Sequence, residues 1–366
     1  MLIPEPRERP FGQRTLYLLG VLFLAFWKIL HLPISFWWPP VRSILKNWTW
    51  SMYGVVIGSW VTRAYIDQPC VYKKPSDFSP KANVDSEYRL SAEEIRSFHE
   101  NGFIGPFDGF SESDVKSLIR VLTWKRRLPS ENFHIVTDRD LHLESPQMME
   151  FMRSPAILER AAQILGPNLL CWRSQLFFKS PGGREIQWHQ ASTYMLEDYL
   201  QPALVPPDRN ELFQLTVWIA LSPAKLENGC LQFIPGTHER VRTIKFGGPD
   251  GFYKVNFQLE FDYDPAKVVN AEMKAGQFII FSERVIHGSG PNRSSEMRHA
   301  FNYRLVPTDV RIYPGQSHHN AMHMGQSYSL ENWGAVLMRG ADQFCHNRLV
   351  APSRTDRQSL AGKFNG

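Results

Sequence analysis

The sequence predicts an all-β sandwich or barrel that follows a group of α-helices. Two observations predict this fold. Between residues 90 and 165, apolar residues recur at helical spacing behind capping signals. Beyond residue 168, short segments rich in β-branched and aromatic residues alternate with Gly, Pro, Asn and Asp. Helices followed by a run of short strands are typical of a β-domain with a helical preface.

Three segments predict the helices of this preface. Ser91-Ala92-Glu93-Glu94 has the capping-box pattern, and the helix that it opens should end at Asn101-Gly102. A second helix should start after Ser113, and a third should span Pro155–Leu165, where Gly166-Pro167 follows.

The strands are predicted from β-forming residues bounded by turn formers. We expect them at Leu169–Ser180, Phe213–Leu221, Cys230–Ile234, Gln277–Phe281 and Phe301–Val306.

Length and composition limit the function classes. With 366 residues and 43% hydrophobic content, the chain accommodates one large catalytic domain and an appendage. Its net charge of +5 is mild, so we expect no nucleic-acid partner. The four cysteines form no C-x-x-C pair, which argues against a zinc site or a disulfide framework and favours a reducing compartment.

The N-terminal 70 residues differ from the rest in composition. Leu16–Trp27 and Trp48–Val61 are apolar and rich in aromatic residues. We expect them to associate with a membrane, with the catalytic domain in the cytoplasm; the alternative is a pair of apolar helices packed on that domain. Basic residues outnumber acidic ones in this region, with Arg7, Arg9, Arg14, Lys28, Arg42, Lys46 and Arg63 against Glu5 and Glu8.

These observations predict a domain organisation. It comprises a membrane-associating region at 1–70, a linker at 71–89, a catalytic domain at 90–310 and a C-terminal extension at 311–366 that packs on the domain.

Two histidines and one arginine in the β-region point to iron chemistry. His189 lies in Trp188-His189-Gln190-Ala191, and His287 follows 98 positions later. Two histidines and a carboxylate on a barrel rim form the face that holds Fe(II) and leaves positions for cosubstrate and oxygen. Arg298 lies eleven residues beyond His287, where it would pair bidentately with a carboxylate.

At these residues the sequence resembles the phytanoyl-CoA dioxygenase family of 2-oxoglutarate oxygenases. The resemblance runs from Leu90 to about Val306 and includes the segment from Asn228 to His238. It implies a double-stranded β-helix, or jelly-roll, core of the cupin type. It also implies the site residues: His189 and His287 as iron ligands, Arg298 on the 5-carboxylate of 2-oxoglutarate, Gln175, Lys179 and Thr216 as further cosubstrate contacts, and Trp218 near the metal.

The chain departs from the family at one ligand. The family pattern is His-x-Asp, whereas this chain has His189-Gln190-Ala191, and a methyl group does not bind iron. Fe(II), two neutral imidazoles and dianionic 2-oxoglutarate sum to zero charge, so an anion fits the vacant position. Chloride there resembles the arrangement of 2-oxoglutarate-dependent halogenases, which have Ala or Gly in place of the carboxylate.

Other interpretations compete with halogenation. Water in the vacant position would leave a hydroxylase, and Glu185 or Glu197 would restore a carboxylate ligand if either reached the iron. An inactive relative that acts as a binding protein or membrane scaffold is a third interpretation, and Ala191 would also arise from engineering. Gln190 is a poor substitute because adjacent strand residues face opposite sides.

Further histidines are better explained without a metal. His238, in the Pro-Gly-Thr-His turn, is expected to satisfy backbone partners. His318, His319 and His323 form a cluster without an evident further ligand, which favours a surface loop.

The substrate class follows only from the general character of the chain. A membrane-associated N-terminus favours a small apolar or lipid-like substrate, and an acyl group on a carrier protein is the alternative. The segments Glu197–Leu212 and Arg242–Asn270 are expected to form the substrate loops.

Overall fold

The computed structural model describes most of the domain region of the chain. Two earlier expectations, the apolar stretch Trp48–Val61 and the pair His318 and His319, lie outside the described residues. The structure describes residues 11–34, 37, 41–42, 45, 71–133, 137–191, 203–241, 244–246, 257–259, 262–314, 321–323, 326–328 and 330–351.

The predicted preface helices are present, and their ends follow the capping chemistry. Ser91 accepts from the amide of Glu94 and forms the predicted capping box, and Gly102 ends the helix with φ 87°. The second helix begins two residues earlier than expected, because Ser111 caps it by accepting from the amide of Asp114. The α-helices of the described residues are α1 (Phe11–Ile29), α2 (Ala92–Asn101), α3 (Glu112–Lys125), α4 (Pro146–Met152) and α5 (Pro155–Leu165).

The strands fall in the predicted segments and in segments that the sequence pattern missed. They are β1 (Phe103–Asp108), β2 (Leu169–Leu176), β3 (Ile186–His189), β4 (Leu204–Val205), β5 (Leu215–Ala220), β6 (Leu231–Ile234), β7 (Ile244–Phe246), β8 (Phe257–Leu259), β9 (Val269–Ala271), β10 (Gln277–Ser282), β11 (Ile286–Ser289), β12 (Ala300–Pro307), β13 (Arg311–Ile312), β14 (Ala321–His323), β15 (Gln326–Tyr328) and β16 (Val336–Arg339).

Two antiparallel sheets form the body of the domain. The larger has the order β1-β10-β5-β12-β2-β16, and the smaller has the order β3-β11-β6-β9. This arrangement is the double-stranded β-helix that the resemblance implied. β16 belongs to the C-terminal extension and pairs with β2 at one edge of the larger sheet.

The two faces of the larger sheet bury different chemistry. On β12, Phe301, Tyr303 and Leu305 belong to the main apolar core, and the Tyr303 hydroxyl donates to the carbonyl of Met152 in α4 at 3.0 Å. Because strand side chains alternate, Asn302 and Arg304 face the opposite way, into the barrel. The helical preface therefore covers the first face, and the interior face carries polar groups beside a second apolar cluster that includes Trp218, Ile279 and Phe281.

Helix α1 is apolar but is not a membrane span. Within the described residues, the structure contains no helix that is both long and apolar enough to cross a membrane. Leu18, Val21 and Ala25 form its buried stripe. Six further apolar side chains of the helix are exposed: Leu16, Leu19, Leu22, Phe23, Phe26 and Ile29.

Candidate metal and cosubstrate site

The two candidate iron ligands lie side by side on neighbouring strands. β11 pairs with β3 so that His287 is directly opposite His189, and their ring centroids are 4.2 Å apart. Residues opposite each other in an antiparallel pair point to the same face of the sheet. Two segments 98 residues apart are thereby combined into one site.

Both imidazoles are oriented and neutral. The Nδ1 atom of His189 is 2.8 Å from the carbonyl of Gln187, and that of His287 is 2.9 Å from the carbonyl of Val285. A proton on each Nδ1 leaves the Nε2 lone pair for a metal. Burial lowers the pKa of His189 to about 4, and burial together with the neighbouring His189 lowers the pKa of His287 well below its usual range. The rings therefore do not have to release a proton at neutral pH before they bind a metal.

Ala191 takes the position of the missing ligand, and its methyl group is buried. The amide of the preceding Gln190 donates to the carbonyls of Arg284 at 2.5 Å and Arg240 at 2.7 Å. These backbone hydrogen bonds engage the Gln190 side chain, in keeping with the expectation that it does not replace the carboxylate.

No described carboxylate completes a three-residue metal site. Within the described part of the chain, no group of three His, Cys, Asp or Glu side chains is placed to hold a metal ion. Glu185, one alternative ligand, is exposed on the loop before β3. Glu197, the other, lies outside the described residues.

Arg298 and Lys179 place two buried cations at one end of the interior. Their backbones form a reciprocal pair of hydrogen bonds of 2.9 and 3.0 Å. The Arg298 guanidinium donates to the carbonyl of Gly229 and, at 3.2 Å, to the hydroxyl of Ser289. The Lys179 ammonium donates to that hydroxyl at 2.7 Å and to the carbonyl of Gly290 at 2.6 Å. Burial, followed by the charge of Arg298, lowers the pKa of Lys179 to about 7.

Gly229 makes this close packing of cations and backbone feasible. Its φ of 78° is in the left-handed region. A Cβ atom there would lie 2.3 Å from the carbonyl oxygen of Gly290 and 3.1 Å from the Lys179 ammonium. The glycine in the Asn228-Gly229-Cys230 segment is therefore required by the site.

Buried polar atoms between the cations and the histidines fit a polar ligand. The Arg298 guanidinium carbon is 5.3 Å from the centroid of the Trp218 ring. Trp218 pairs in register with Asn302, which also pairs with Gln175. Among the described residues, the buried Thr216 Oγ1 and Asn302 Oδ1 have no hydrogen-bond partner. Of these two atoms only the Thr216 hydroxyl donates, and together with Arg298 and Lys179 it would bind the oxygen atoms of a dicarboxylate such as 2-oxoglutarate.

Sequence inspection missed a group of arginines on the same interior face. Arg304 pairs in register with Thr216 and with Arg173. Its positive charge adds to burial in lowering the pKa of both His189 and His287. The signal was available, because Arg304 is the one charged residue of the predicted strand Phe301–Val306, and Arg173 lies within the predicted strand Leu169–Ser180.

His238 behaves as expected. It is buried, with its Nε2 3.0 Å from the carbonyl of His99, and this backbone contact supports a structural role in the turn. His323 lies in the short strand β14 rather than in the loop that was expected there.

Comparisons with known proteins identify the family and agree with this fold. Residues 98–300 match the family model described as phytanoyl-CoA dioxygenase (PhyH). The chain is 29% identical over 240 residues to "Phytanoyl-CoA dioxygenase domain-containing protein 1" of Danio rerio, covering 64% of this chain and 72% of that protein. It is 29% identical over 230 residues to "Phytanoyl-CoA dioxygenase" of Arabidopsis thaliana, covering 63% and 71% respectively.

Solved structures give the same result. "CytC3 with Fe(II) and alpha-ketoglutarate" is similar with a TM-score of 0.58 and 28% identity, covering 73% of this chain and 95% of that one. EctD from S. alaskensis, at 19% identity and a TM-score of 0.51 over 67% of this chain and 86% of that one, shares the fold.

Proposed function

This chain belongs to the phytanoyl-CoA dioxygenase family and is an Fe(II)- and 2-oxoglutarate-dependent oxidoreductase, and on that premise we propose that it is a halogenase that chlorinates an unactivated C–H bond. The observation that carries this proposal is Ala191, a buried methyl group at the position where the family has an acidic iron ligand, in the chain segment that follows His189. The space and the missing negative charge suit a chloride ion.

The proposed roles follow from the positions of the side chains. His189 and His287 hold the metal through their Nε2 atoms. Arg298 binds the 5-carboxylate of 2-oxoglutarate, with Lys179 beside it as a second cation. Three further residues, Thr216, Gln175 and Trp218, line the cosubstrate between these ends.

Iron with 2-oxoglutarate and O₂ supplies the oxidising chemistry when bound. In balance, R–H, chloride, a proton, 2-oxoglutarate and O₂ give R–Cl, succinate, CO₂ and water. The protein contributes neutral imidazoles and a cationic anchor for the dicarboxylate. It also contributes Ala191, whose small methyl group leaves room for the halide.

Anaerobic absorption spectroscopy tests the proposal. Protein with Fe(II) and 2-oxoglutarate should show a metal-to-ligand charge-transfer band that shifts when chloride is added. In Ala191→Asp the new carboxylate should fill the position, so the band should persist and its shift with chloride should be lost. A wild-type band that ignores chloride would overturn halide binding and favour hydroxylation.

Hydroxylation is the second candidate function, and the names of the relatives favour it. Curated proteins from Danio rerio and Arabidopsis thaliana carry the name dioxygenase. With water in the position beside Ala191, the same cations and histidines would support oxygen insertion. Incubation with O₂ and chloride separates the two, because a halogenase yields a chlorinated product and a hydroxylase yields an alcohol.

We further propose that the catalytic unit is 90–310 and that residues 1–70 associate it with a membrane, on the cytoplasmic side. The family match at 98–300 lies within this catalytic unit. The exposed apolar side chains of α1 support membrane association, because an interfacial helix buries such a face at the headgroup boundary without crossing the bilayer. Removing residues 1–70 should release the protein from vesicles that bind the full chain. Equal binding of both forms would overturn this assignment.

A further inference from the structure

An oxidisable aromatic side chain lies directly behind the candidate iron ligands. Trp188 is the residue before His189 on β3, and because strand side chains alternate, its indole lies on the opposite face of the smaller sheet from that imidazole. On this outer face the indole packs against Ile234 and Ile286. The indole is therefore outside the barrel but only one residue away from a candidate metal ligand.

The same indole also lies against the strand of the second histidine. Gly288 follows His287 on β11, and a Cβ atom at this glycine would be 3.2 Å from Cε3 of Trp188. Because glycine has no side chain, the indole approaches the backbone of β11 closely. Trp188 thus meets the chain segments of both histidines, through a peptide bond on β3 and through van der Waals contact on β11.

Tyr263 connects this indole to solvent. The Nε1–H group of Trp188 donates to the Tyr263 hydroxyl at 3.1 Å, and the two ring centroids are 5.5 Å apart in an edge-to-face arrangement. Tyr263 is 39% exposed. Because the phenol oxygen accepts this hydrogen bond, its own proton is not directed at the indole. On oxidation of the exposed phenol, water would accept that proton.

The aromatic side chains on the inner side are less suited to give up an electron. Phe281 and Phe233 flank His287, with ring centroids 4.8 and 6.2 Å from the imidazole, but a phenyl ring is much harder to oxidise than an indole or a phenol. Trp218 is an indole, yet the Arg298 guanidinium carbon is 5.3 Å from its ring centroid, and this charge opposes a second positive charge on the ring. The indole on the outer face is therefore the favoured electron donor.

We propose that Trp188 and Tyr263 form an electron-transfer relay, which protects the protein when iron, 2-oxoglutarate and O₂ react without an organic substrate. This inference rests on the iron- and 2-oxoglutarate-dependent chemistry of the proposed function. It holds whether that chemistry ends in chlorination or in hydroxylation.

The relay moves one electron at a time. The Trp188 indole gives an electron to the oxidised metal site, and the Tyr263 phenol then gives an electron to the indole and its proton to water. A reductant in solution, such as ascorbate, restores the phenol from the phenoxyl radical with one electron and one proton. Two passages balance one uncoupled turnover, in which 2-oxoglutarate, O₂ and ascorbate give succinate, CO₂, water and dehydroascorbate, and the protons of the water product come from solvent.

Freeze-quenched electron paramagnetic resonance tests the relay in the full-length protein. Protein with Fe(II) and 2-oxoglutarate is mixed with O₂ without an organic substrate or ascorbate, and succinate is measured in the same samples. We expect an organic radical whose signal narrows when the protein contains ring-deuterated tyrosine, because the unpaired electron should reside on Tyr263. Added ascorbate should remove this signal. Succinate formed without an organic radical would overturn the inference.

Conservative variants identify the two rings. Trp188→Phe keeps an aromatic ring but removes the oxidisable indole, so the tyrosine signal should be lost. In Tyr263→Phe the signal should move to tryptophan, and ring-deuterated tryptophan should then narrow it. The matched controls are Trp124→Phe, on α3, and Tyr88→Phe, before α2, and both should retain the wild-type signal. A tyrosine signal that persists in Trp188→Phe would contradict the relay.

Two further measurements distinguish the relay from the chemistry that drives it. Trp188→Phe and Tyr263→Phe should both keep the charge-transfer band of Fe(II) with 2-oxoglutarate and should still form succinate, which shows that a lost radical is not a lost metal site. Both variants should also accumulate oxidised side chains around the metal site faster than the wild type in the presence of ascorbate, as measured by peptide mass spectrometry. Absence of both the band and succinate in the wild type would contradict the iron chemistry and would overturn the relay as well.

Discussion

Proteins usually bury apolar side chains and expose charged ones, and both the barrel interior and helix α1 depart from this distribution. The interior buries Lys179, Arg298 and Arg173, whereas α1 leaves side chains such as Leu16 and Phe26 exposed, at 70% and 57%. Fully buried cations and contiguous exposed apolar side chains are both uncommon in monomeric proteins. The comparison indicates that neither the buried cations nor the exposed apolar side chains are explained by the stability of the folded chain.

The two departures carry different costs. A buried cation must recover a large loss of hydration, so the interior is rigidly cross-linked by short hydrogen bonds such as Lys179 to Gly290 at 2.6 Å. An exposed apolar side chain costs little while the protein is monomeric. Substitutions inside the barrel should therefore have large effects on ligands, and substitutions on α1 should have small ones.

Removal of a candidate metal ligand is expected to have the largest effect. His287→Ala takes one of the two imidazoles from the interior and should abolish the charge-transfer band of Fe(II) with 2-oxoglutarate. The control is His238→Ala, since His238 contacts the backbone of His99 and should leave the band intact. An unchanged band in His287→Ala would show that the ligand lies elsewhere.

Loss of the cosubstrate anchor comes next. Arg298→Ala should weaken binding of 2-oxoglutarate by about thirtyfold or more, because truncating one partner of a buried charge pair costs about 2 kcal/mol or more. Titration of the absorption band with 2-oxoglutarate measures the change. Fe(II) binding alone should change far less, and an equal loss of both would argue against the assigned role.

The pH dependence of cosubstrate binding distinguishes the second cation. Lys179, with its pKa lowered to about 7, is charged below that pH and neutral above it. Because a carboxylate prefers the charged form, affinity for 2-oxoglutarate should fall by about tenfold as pH rises from 6 to 8. Lys179→Met should flatten this profile. A wild-type profile that is already flat would show that Lys179 does not bind the cosubstrate.

The smallest effect is expected outside the barrel. Phe26→Ser should reduce binding to vesicles of phosphatidylcholine and phosphatidylglycerol by about fivefold, since burying part of a Phe side chain contributes about 1 kcal/mol. Trp124→Ser is the matched control, because Trp124 is also 57% exposed but lies on α3. Equal vesicle binding by both variants would mean that α1 does not face lipid.

The fold was predictable where local chemistry is decisive. Capping boxes and β-forming runs gave α2, α5 and the long strands β5, β10 and β12 close to their observed bounds. Strand β1 was missed because Gly105 and Pro106 interrupt its pattern. β3 and β11 were missed because, in these four-residue strands, residues such as Gln187, Gly288 and Ser289 break the β-forming pattern that the equally short β6 retains.

The candidate site was predictable in its residue types but not in its arrangement. His189, His287, Arg298 and Lys179 were identified from motifs, and the structure brings them into one interior. The proximity of Arg139 to Arg173 could not be predicted, because both donate to the hydroxyl of Tyr313, which lies 174 residues beyond Arg139 in the chain. Contacts of that kind depend on strand order and register, which no local pattern encodes.

The buried amide of Gln190 has an implication for how readily this chemistry changes. Its hydrogen bonds to the backbone of Arg240 and Arg284 fix the chain on either side, including the Cα atom of Ala191. A carboxylate introduced at that position would meet a backbone that is already set for ligation. Under the proposed function, a halide-accepting and a carboxylate-ligated iron site would therefore differ in a single side chain, and a lineage would exchange one chemistry for the other without rebuilding its scaffold.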